Sequence, residues 1–255
     1  MPWQVTELYF ELDGTFPNHE ANPLKFETLK DLTAVIKKEK LDGGMAFDGD
    51  GDRAFLVDET GQVLTGGVMS AMLSEFFLKK YPGSNIVYDI RNSRSVPDVI
   101  TENGGTPVRE RVGHAYLKIA MRQSDAPFGG EASGHFYFRD NWYADSGLIG
   151  AVIGLYVAGL SGKKLSELRK QYTRYEAIPE TNFVVTDKDA AIERIKKAFP
   201  DDKQETVDGL SVTADKWWFN VRPSNTEPVL RLNAETDSEQ TLQQLVDKVV
   251  SLIKG

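Results

Sequence analysis

Apolar residues along the chain change their spacing several times, and each change predicts an element. Over Thr28–Glu39 (TLKDLTAVIKKE) the leucines and the Val35/Ile36 pair recur at helical spacing. "GGMAF" then predicts a short buried strand that runs straight into "DGDGDR". "AFLVDETGQVLTGG" predicts two short strands around a turn at Glu59–Gly61. Val68–Lys80 puts Met69, Met72, Leu73, Phe76 and Phe77 on one helical face. "NIVYDI", "SVPDVITENG", "TPVRERV" and "HAYLKIAMRQ" predict strand, helix, strand, helix. "PFGGEASGHFYF" predicts a strand that enters a glycine-rich loop and leaves it again. Ser146–Leu160 is apolar on all sides, which predicts a buried helix, and Lys164–Tyr172 continues helical.

Alternation of strand and helix up to Tyr172 implies α/β architecture with parallel or mixed sheets. The pattern then changes. "TNFVVTD" predicts a strand, Asp189–Phe199 a helix, and "LSVTADKWWFNVRPSNTEPVLRLNAE" two or three adjacent strands. Asp237–Ile253 closes the chain as a helix, with Asp237 and Gln240 as its capping box. Two helices on an antiparallel sheet make this a C-terminal α+β domain. The expected domains are 1–62, 63–172 and 173–255. The first is thin for an independent sheet, and unpaired strand edges there would favour a dimer.

Net charge is −8, which argues against a nucleic-acid partner bound by bulk charge. With no cysteine, there is no thiolate metal site and no thiol nucleophile. The longest apolar run, "GLIGAVIGLYVAGL", falls short of the ~18 residues of a membrane span. The first residues carry acids and no basic segment like that of a signal peptide. A cytoplasmic protein without a membrane partner is expected.

Three short segments carry candidate chemistry. In "DGDGDR", Asp48, Asp50 and Asp52 alternate and can converge on one cation. Oxygen ligands of this charge suit Mg²⁺ or Ca²⁺ rather than zinc. An EF-hand would place Glu59 at its twelfth position, but it needs glycine at the sixth, where Arg53 stands. A solvated acidic turn would leave Arg53 and the apolar approach strand unexplained. Mg²⁺ beside a guanidinium is the arrangement that phosphoryl transfer uses. In "GGEASGHF", Glu131, Ser133 and His135 alternate and point to one side. A carboxylate and a hydroxyl can hold vicinal sugar hydroxyls, and histidine can exchange a proton near neutral pH. "RPSNTEP" groups Arg222, Ser224, Asn225 and Thr226 in one turn, with Arg231 just beyond, a set able to surround a phosphate.

In this order, the three segments resemble the metal, sugar-recognition and phosphate-binding loops of the phosphohexomutases, in the bacterial phosphomannomutase/phosphoglucomutase branch. "DGTFPNHEANPL" (Asp13–Leu24) resembles the segment that precedes the family's metal loop. The resemblance implies that Asp48, Asp50 and Asp52 hold Mg²⁺ and that Arg53 contacts the phosphoryl group. It implies that Glu131 and Ser133 grip the sugar, while Arg222, Ser224, Asn225, Thr226 and Arg231 hold the unreactive phosphate. His114 and Arg91 match further active-site positions, and Lys118 is a secondary match. His114, His135, Arg91 and Lys118 all stand as candidates for proton transfer. The implied reaction interconverts hexose 1-phosphates and 6-phosphates of mannose or glucose through a bisphosphorylated sugar. The family's nucleophile is a phosphoserine in a segment like T-A-S-H-N-P, and this sequence holds no such segment. The expectation is a C-terminal portion of a mutase, inactive alone, with a sugar-phosphate-binding module as the alternative.

Overall fold

The computed structural model describes residues 3–224 and 227–255. Residues 3–25 carry no regular element, and a 3-10 turn at Phe26–Leu29 leads into helix α1 (Lys30–Glu39). Strands β1 (Gly43–Phe47), β2 (Ala54–Asp58) and β3 (Val63–Leu64) form an antiparallel sheet in that order. Alternation along β2 divides its side chains between two layers. Val57 packs with Ile36 of α1, and Leu56 faces a larger core on the other side.

That larger core belongs to a mixed sheet. Helix α2 (Gly66–Lys80) leads to β4 (Asn85–Asp89), α3 (Ser95–Glu102), β5 (Thr106–Glu110), α4 (His114–Ser124) and β6 (Phe128–Gly130). Then come β7 (Phe136–Phe138) and β8 (Ala144–Asp145). The sheet order is β5-β4-β6-β7-β8, with β4 parallel to both β5 and β6 and the remaining pairs antiparallel. Ile86, Tyr88, Phe128 and Phe136 face α2 and α3, whereas Val87 and Tyr137 face α4. The chain passes from β5 across β4 to β6, so the strand order reverses between β4 and β6. In open α/β sheets, ligands bind outside the carboxyl ends of the strands at such a reversal.

Helix α5 (Gly147–Ser161) corrects an expectation. It is not a buried helix. Leu148, Val152, Tyr156 and Leu160 are exposed, and only Gly147, Gly150, Ala151 and Gly154 are buried. The glycine face allows the close approach. A Cβ at Gly150 would lie 2.5 Å from Phe136, and one at Gly154 would lie 2.9 Å from Leu56. Small residues therefore make the closest approach, Ile149, Ile153, Leu155 and Val157 pack beside them half-buried, and Leu148, Val152, Tyr156 and Leu160 face outward. The helical continuation is also broken. Gly162 adopts φ +66°, and α6 (Leu165–Tyr172) leaves at 100° to α5. Among the described residues, no single helix is long and apolar enough to cross a membrane.

The C-terminal part is α+β. It contains β9 (Glu176–Ala177), β10 (Thr181–Val184), α7 (Lys188–Ala198), β11 (Lys203–Glu205), β12 (Leu210–Ala214), β13 (Trp217–Pro223), β14 (Val229–Thr236) and α8 (Glu239–Lys254). The antiparallel sheet runs β10-β14-β13-β12-β11, with β9 also on β14. β9 and β11 are too short to show any alternation in the sequence. Phe219, Val221, Leu230, Leu232 and Ala234 pack under α7 and α8. Their alternation partners Trp218, Arg222, Arg231, Asn233 and Glu235 thus share the opposite face. Glu235 accepts from the Arg94 peptide N–H at 2.8 Å, Ser93 Oγ at 2.5 Å and Trp218 Nε1 at 2.8 Å, tying this face to the loop after β4. The cap of α8 is Ser238, whose hydroxyl accepts from the Thr241 N–H, and not the expected Asp237–Gln240 box. Asp237 instead pairs with Arg94 at 2.5 Å.

Candidate active site

The turn between β1 and β2 holds the aspartates. Gly51 takes φ +74° and closes the turn onto the Asp48 carbonyl at 3.2 Å. One carboxylate oxygen from each of Asp48, Asp50 and Asp52 lies within 4.8 Å of the others. Arg53 folds back on Asp48, its peptide N–H donating at 3.1 Å and its Nε pairing with the same carboxylate. Burial alone would raise Asp48, but these donors outweigh it and hold its pKa low. Asp52 goes the other way. Burial and the charges of Asp48 and Asp50 raise it, with only partial relief from His135. Glu59 faces elsewhere, accepting from Ser166 Oγ at 2.5 Å and the Ser166 N–H at 3.2 Å. The EF-hand arrangement is thereby excluded.

Main-chain contacts join the aspartate turn to the sugar loop. Arg53 and His135 form a β-bridge, and the Ala54 N–H donates to the Gly134 carbonyl at 3.1 Å. The N-terminus of α5 closes the same junction, the Gly147 N–H donating to the Gly51 carbonyl at 3.2 Å. From the front of the chain, Asn22 Oδ1 accepts from Arg53 at 3.5 Å.

Glu131, at the end of β6, is buried. It accepts from Tyr137 Oη at 2.5 Å, Ser133 Oγ at 3.1 Å and Arg91 at 3.3 Å. Burial pushes its pKa up, but hydrogen bonds from His135 and Tyr137 and the Arg91 charge prevail and hold it at about 2. Burial and this carboxylate together raise the Tyr137 phenol. Arg91 also donates to the fully buried Asp89 at 2.6 Å and to Ser133 at 3.4 Å. Ser133 Oγ lies 2.9 Å from His135 Nδ1. The His114 ring stands edge-on to His135 at 4.3 Å, and its Nδ1 is 2.9 Å from Asp145. Lys118 reaches Asp145 at 2.9 Å.

On the C-terminal sheet, Arg222 and Arg231 share Glu180, at 3.0 and 3.5 Å, and Asn233 donates to it at 3.0 Å. Burial would raise Glu180, but Asn233 and Arg222 outweigh it and lower it. Arg231 also lies 3.4 Å from Ser224 Oγ and 3.2 Å from Glu227. Among the described residues, the buried Arg222 Nε has no hydrogen-bond partner. Asn225 and Thr226 lie outside the described residues.

The structure therefore brings Asp48, Asp50, Asp52, Arg53, Arg91, His114, Lys118, Glu131, Ser133 and His135 to one junction. Arg222, Ser224 and Arg231 sit on the facing sheet. Sequence reasoning does not single out Asp89, Tyr137, Asp145 or Glu180. Only Tyr137 carries a signal, since it continues the alternation of Glu131, Ser133 and His135.

Comparison with known proteins gives consistent matches along the chain. Residues 1–61, 65–175 and 180–252 match, in turn, the phosphoglucomutase/phosphomannomutase alpha/beta/alpha domains II and III and the C-terminal domain. A phosphomannomutase of Methanocaldococcus jannaschii is 44% identical over 241 residues, covering 94% of this chain and 54% of that protein. A crystal structure of a phosphoglucomutase/phosphomannomutase family protein from Burkholderia thailandensis superposes with a TM-score of 0.88 at 31% identity. It covers 97% of this chain and 54% of that one. Aspergillus fumigatus N-acetylphosphoglucosamine mutase, solved with GlcNAc-6P and magnesium, shares the fold at a TM-score of 0.67 and 15% identity, over 87% of this chain and 52% of its own. The chain spans about half the length of the curated relatives it matches.

Proposed function

The chain belongs to the phosphoglucomutase/phosphomannomutase family, and on that premise we propose that it is the C-terminal portion of a phosphohexomutase. The reaction interconverts hexose 1-phosphate and 6-phosphate, of mannose or glucose, and its phosphoserine lies outside this chain. One observation carries the reading: the Arg53–His135 bridge makes the acidic turn and the sugar loop a single structure. A phosphoryl group bound by the first is then held against a sugar bound by the second.

The residues present fit Mg²⁺. Three convergent carboxylates, one of them raised by burial and by its neighbours' charge, gain from a divalent cation among them. The ion is named with the Aspergillus fumigatus mutase. When bound, it would polarise a phosphoryl oxygen. Arg53 supplies a second positive donor for the same group. Glu131 and Ser133 accept and donate to two sugar hydroxyls, with the Glu131 carboxylate kept ionised and aimed by Tyr137 and Arg91. As the sugar hydroxyl attacks phosphorus and the serine O–P bond breaks, the hydroxyl proton passes to His114 or His135 and the departing serine oxygen takes up a proton. Lys118 and Arg91, ion-paired as cations with Asp145 and with Asp89 and Glu131, are further candidates only for donating a proton to the departing serine oxygen. Arg222, Ser224 and Arg231, with Asn225 and Thr226, hold the phosphate that does not react.

The test is a coupled assay of glucose 1-phosphate and mannose 1-phosphate turnover. The chain would be mixed with the serine-bearing front half of the Methanocaldococcus jannaschii relative. Turnover that is lost in Glu131→Ala is the expected result. A second arm measures hexose 1-phosphate binding to this chain alone. Binding that needs Glu131 and Arg222, with no turnover in any mixture, would favour a sugar-phosphate-binding module. No binding at all would sink both readings.

A further inference from the structure

A second cation site lies beside the aspartate turn and differs from it in chemistry. Asp52, His114, His135 and Asp145 each present one ligand atom within 4.8 Å of the others. They come from four separate segments: the β1–β2 turn, the start of α4, the sugar loop and β8. No sequence spacing announces the group. We propose that these four residues form a site for a zinc-class divalent cation, sharing Asp52 with the all-oxygen site formed with Asp48 and Asp50.

The donor set selects the metal. Two imidazoles and two carboxylates suit Zn²⁺ or Co²⁺ in four-coordination, whereas Mg²⁺ prefers oxygen alone. Two carboxylates also balance a divalent charge. Metal–ligand bonds of about 2.0–2.2 Å put adjacent ligand atoms roughly 3.5 Å apart, so only small side-chain movements are needed. Two pairs are already close: His135 Nε2 is 3.4 Å from Asp52, and His114 Nδ1 is 2.9 Å from Asp145.

The surroundings orient the ligands. His135 Nδ1 is engaged by Ser133 at 2.9 Å, which leaves Nε2 facing Asp52. A metal-binding histidine is usually held through one ring nitrogen and offered to the metal through the other. Asp145 keeps one oxygen on Lys118 and turns the other toward His114. The Lys118 ammonium opposes a cation, while Glu131, 3.7 Å from His135, favours one. The site rests on these positions and not on the mutase reading. If that reading also holds, occupation by zinc would tie up both histidines that are candidates to take the hydroxyl proton and would inhibit turnover.

The experiment is a Co²⁺ titration of the full chain in excess Mg²⁺, with imidazole NMR alongside. The visible absorption of four-coordinate cobalt should develop and should disappear when Zn²⁺ is added. Of the three histidines, His114 and His135 should shift while His19 stays in place. His114→Asn and Asp145→Asn should each weaken cobalt at least about tenfold, and Asp50→Asn should leave the band intact. Unmoved His114 and His135 signals in the unmodified chain would overturn the proposal without recourse to any variant. A band lost in Asp50→Asn but kept in His114→Asn would also overturn it, since the ion would then sit among the aspartates.

Discussion

The aspartate and sugar loops are stitched together by main chain, whereas the arginines of the C-terminal sheet are held by side chains that a ligand can replace. In the first region, Arg53 and His135 pair as a β-bridge, and Gly51, Gly134 and Gly147 link through peptide groups. Its central charges are buried, with Asp89 at 0% and Glu131 at 2% exposure. In the second region, Glu180 stands where an anionic ligand would be expected to contact Arg222 and Arg231. One region gathers carboxylates whose oxygens converge. The other already contains an internal anion. A ligand adds to the first and must compete in the second.

The largest expected effect separates the two arginine settings. Arg91→Ala would leave Asp89 and Glu131 close together without their shared cation, a loss of about 3–5 kcal/mol in folding stability. Arg222→Ala leaves the part-exposed Glu180 with Asn233 and Arg231, so a smaller loss of about 1–3 kcal/mol is expected. Urea unfolding of both variants measures the contrast. Equal losses would break the comparison.

Next in size is the main-chain stitching itself. A Cβ at Gly147 would lie 2.7 Å from the Gly51 carbonyl oxygen and from Arg53 backbone atoms. Neither can yield as a flexible side chain would. Gly147→Ala should cost about 1–3 kcal/mol and weaken Mg²⁺ binding, because α5 must lift from the aspartate turn. Unchanged Mg²⁺ affinity in a folded Gly147→Ala protein would mean that the turn keeps its shape unaided.

Legibility in the sequence followed the same division. Strand alternation announces Asp48, Asp50 and Asp52, and again Glu131, Ser133 and His135, because period-two spacing survives in an extended loop. Asp89, Asp145 and Glu180 are single acids in unremarkable surroundings. They become neighbours of the site through strand order, through the β8 pairing and through the turn into β10, none of which local spacing encodes. The α5 misreading has a similar source. Hydropathy sees an apolar helix, but its glycines decide which side approaches the core most closely and which large residues are left outside.

A smaller effect tests whether Glu180 competes with ligand. Glu180→Gln keeps a hydrogen-bonding partner for Arg222 and removes the charge. Affinity for inorganic phosphate should rise a few-fold, less than the ~1.4 kcal/mol of a tenfold change. Isothermal titration of the variant and the unmodified chain would show it. A fall in phosphate affinity would mean that the carboxylate positions the arginines for ligand and does not oppose it.

The smallest effect is a pH slope. The folded-state pKa of Glu180 lies below its ordinary value, because Asn233 and Arg222 outweigh burial. A depressed carboxyl binds its proton more weakly in the folded protein than in the unfolded chain. Its contribution to stability is therefore complete above the ordinary glutamate pKa and is lost as pH falls through the lowered folded value. Glu180→Gln should therefore lower stability slightly at neutral pH, and the two proteins should converge in acid, where both side chains are uncharged. Partial exposure of the Glu180 side chain, at 28%, keeps the effect small. Urea midpoints measured across the acid range for both proteins would resolve it. Parallel acid limbs would mean that Glu180 is already paired equally well in the unfolded chain, and the C-terminal arginines would then lack the internal anion that sets them apart from the buried charges around Arg91.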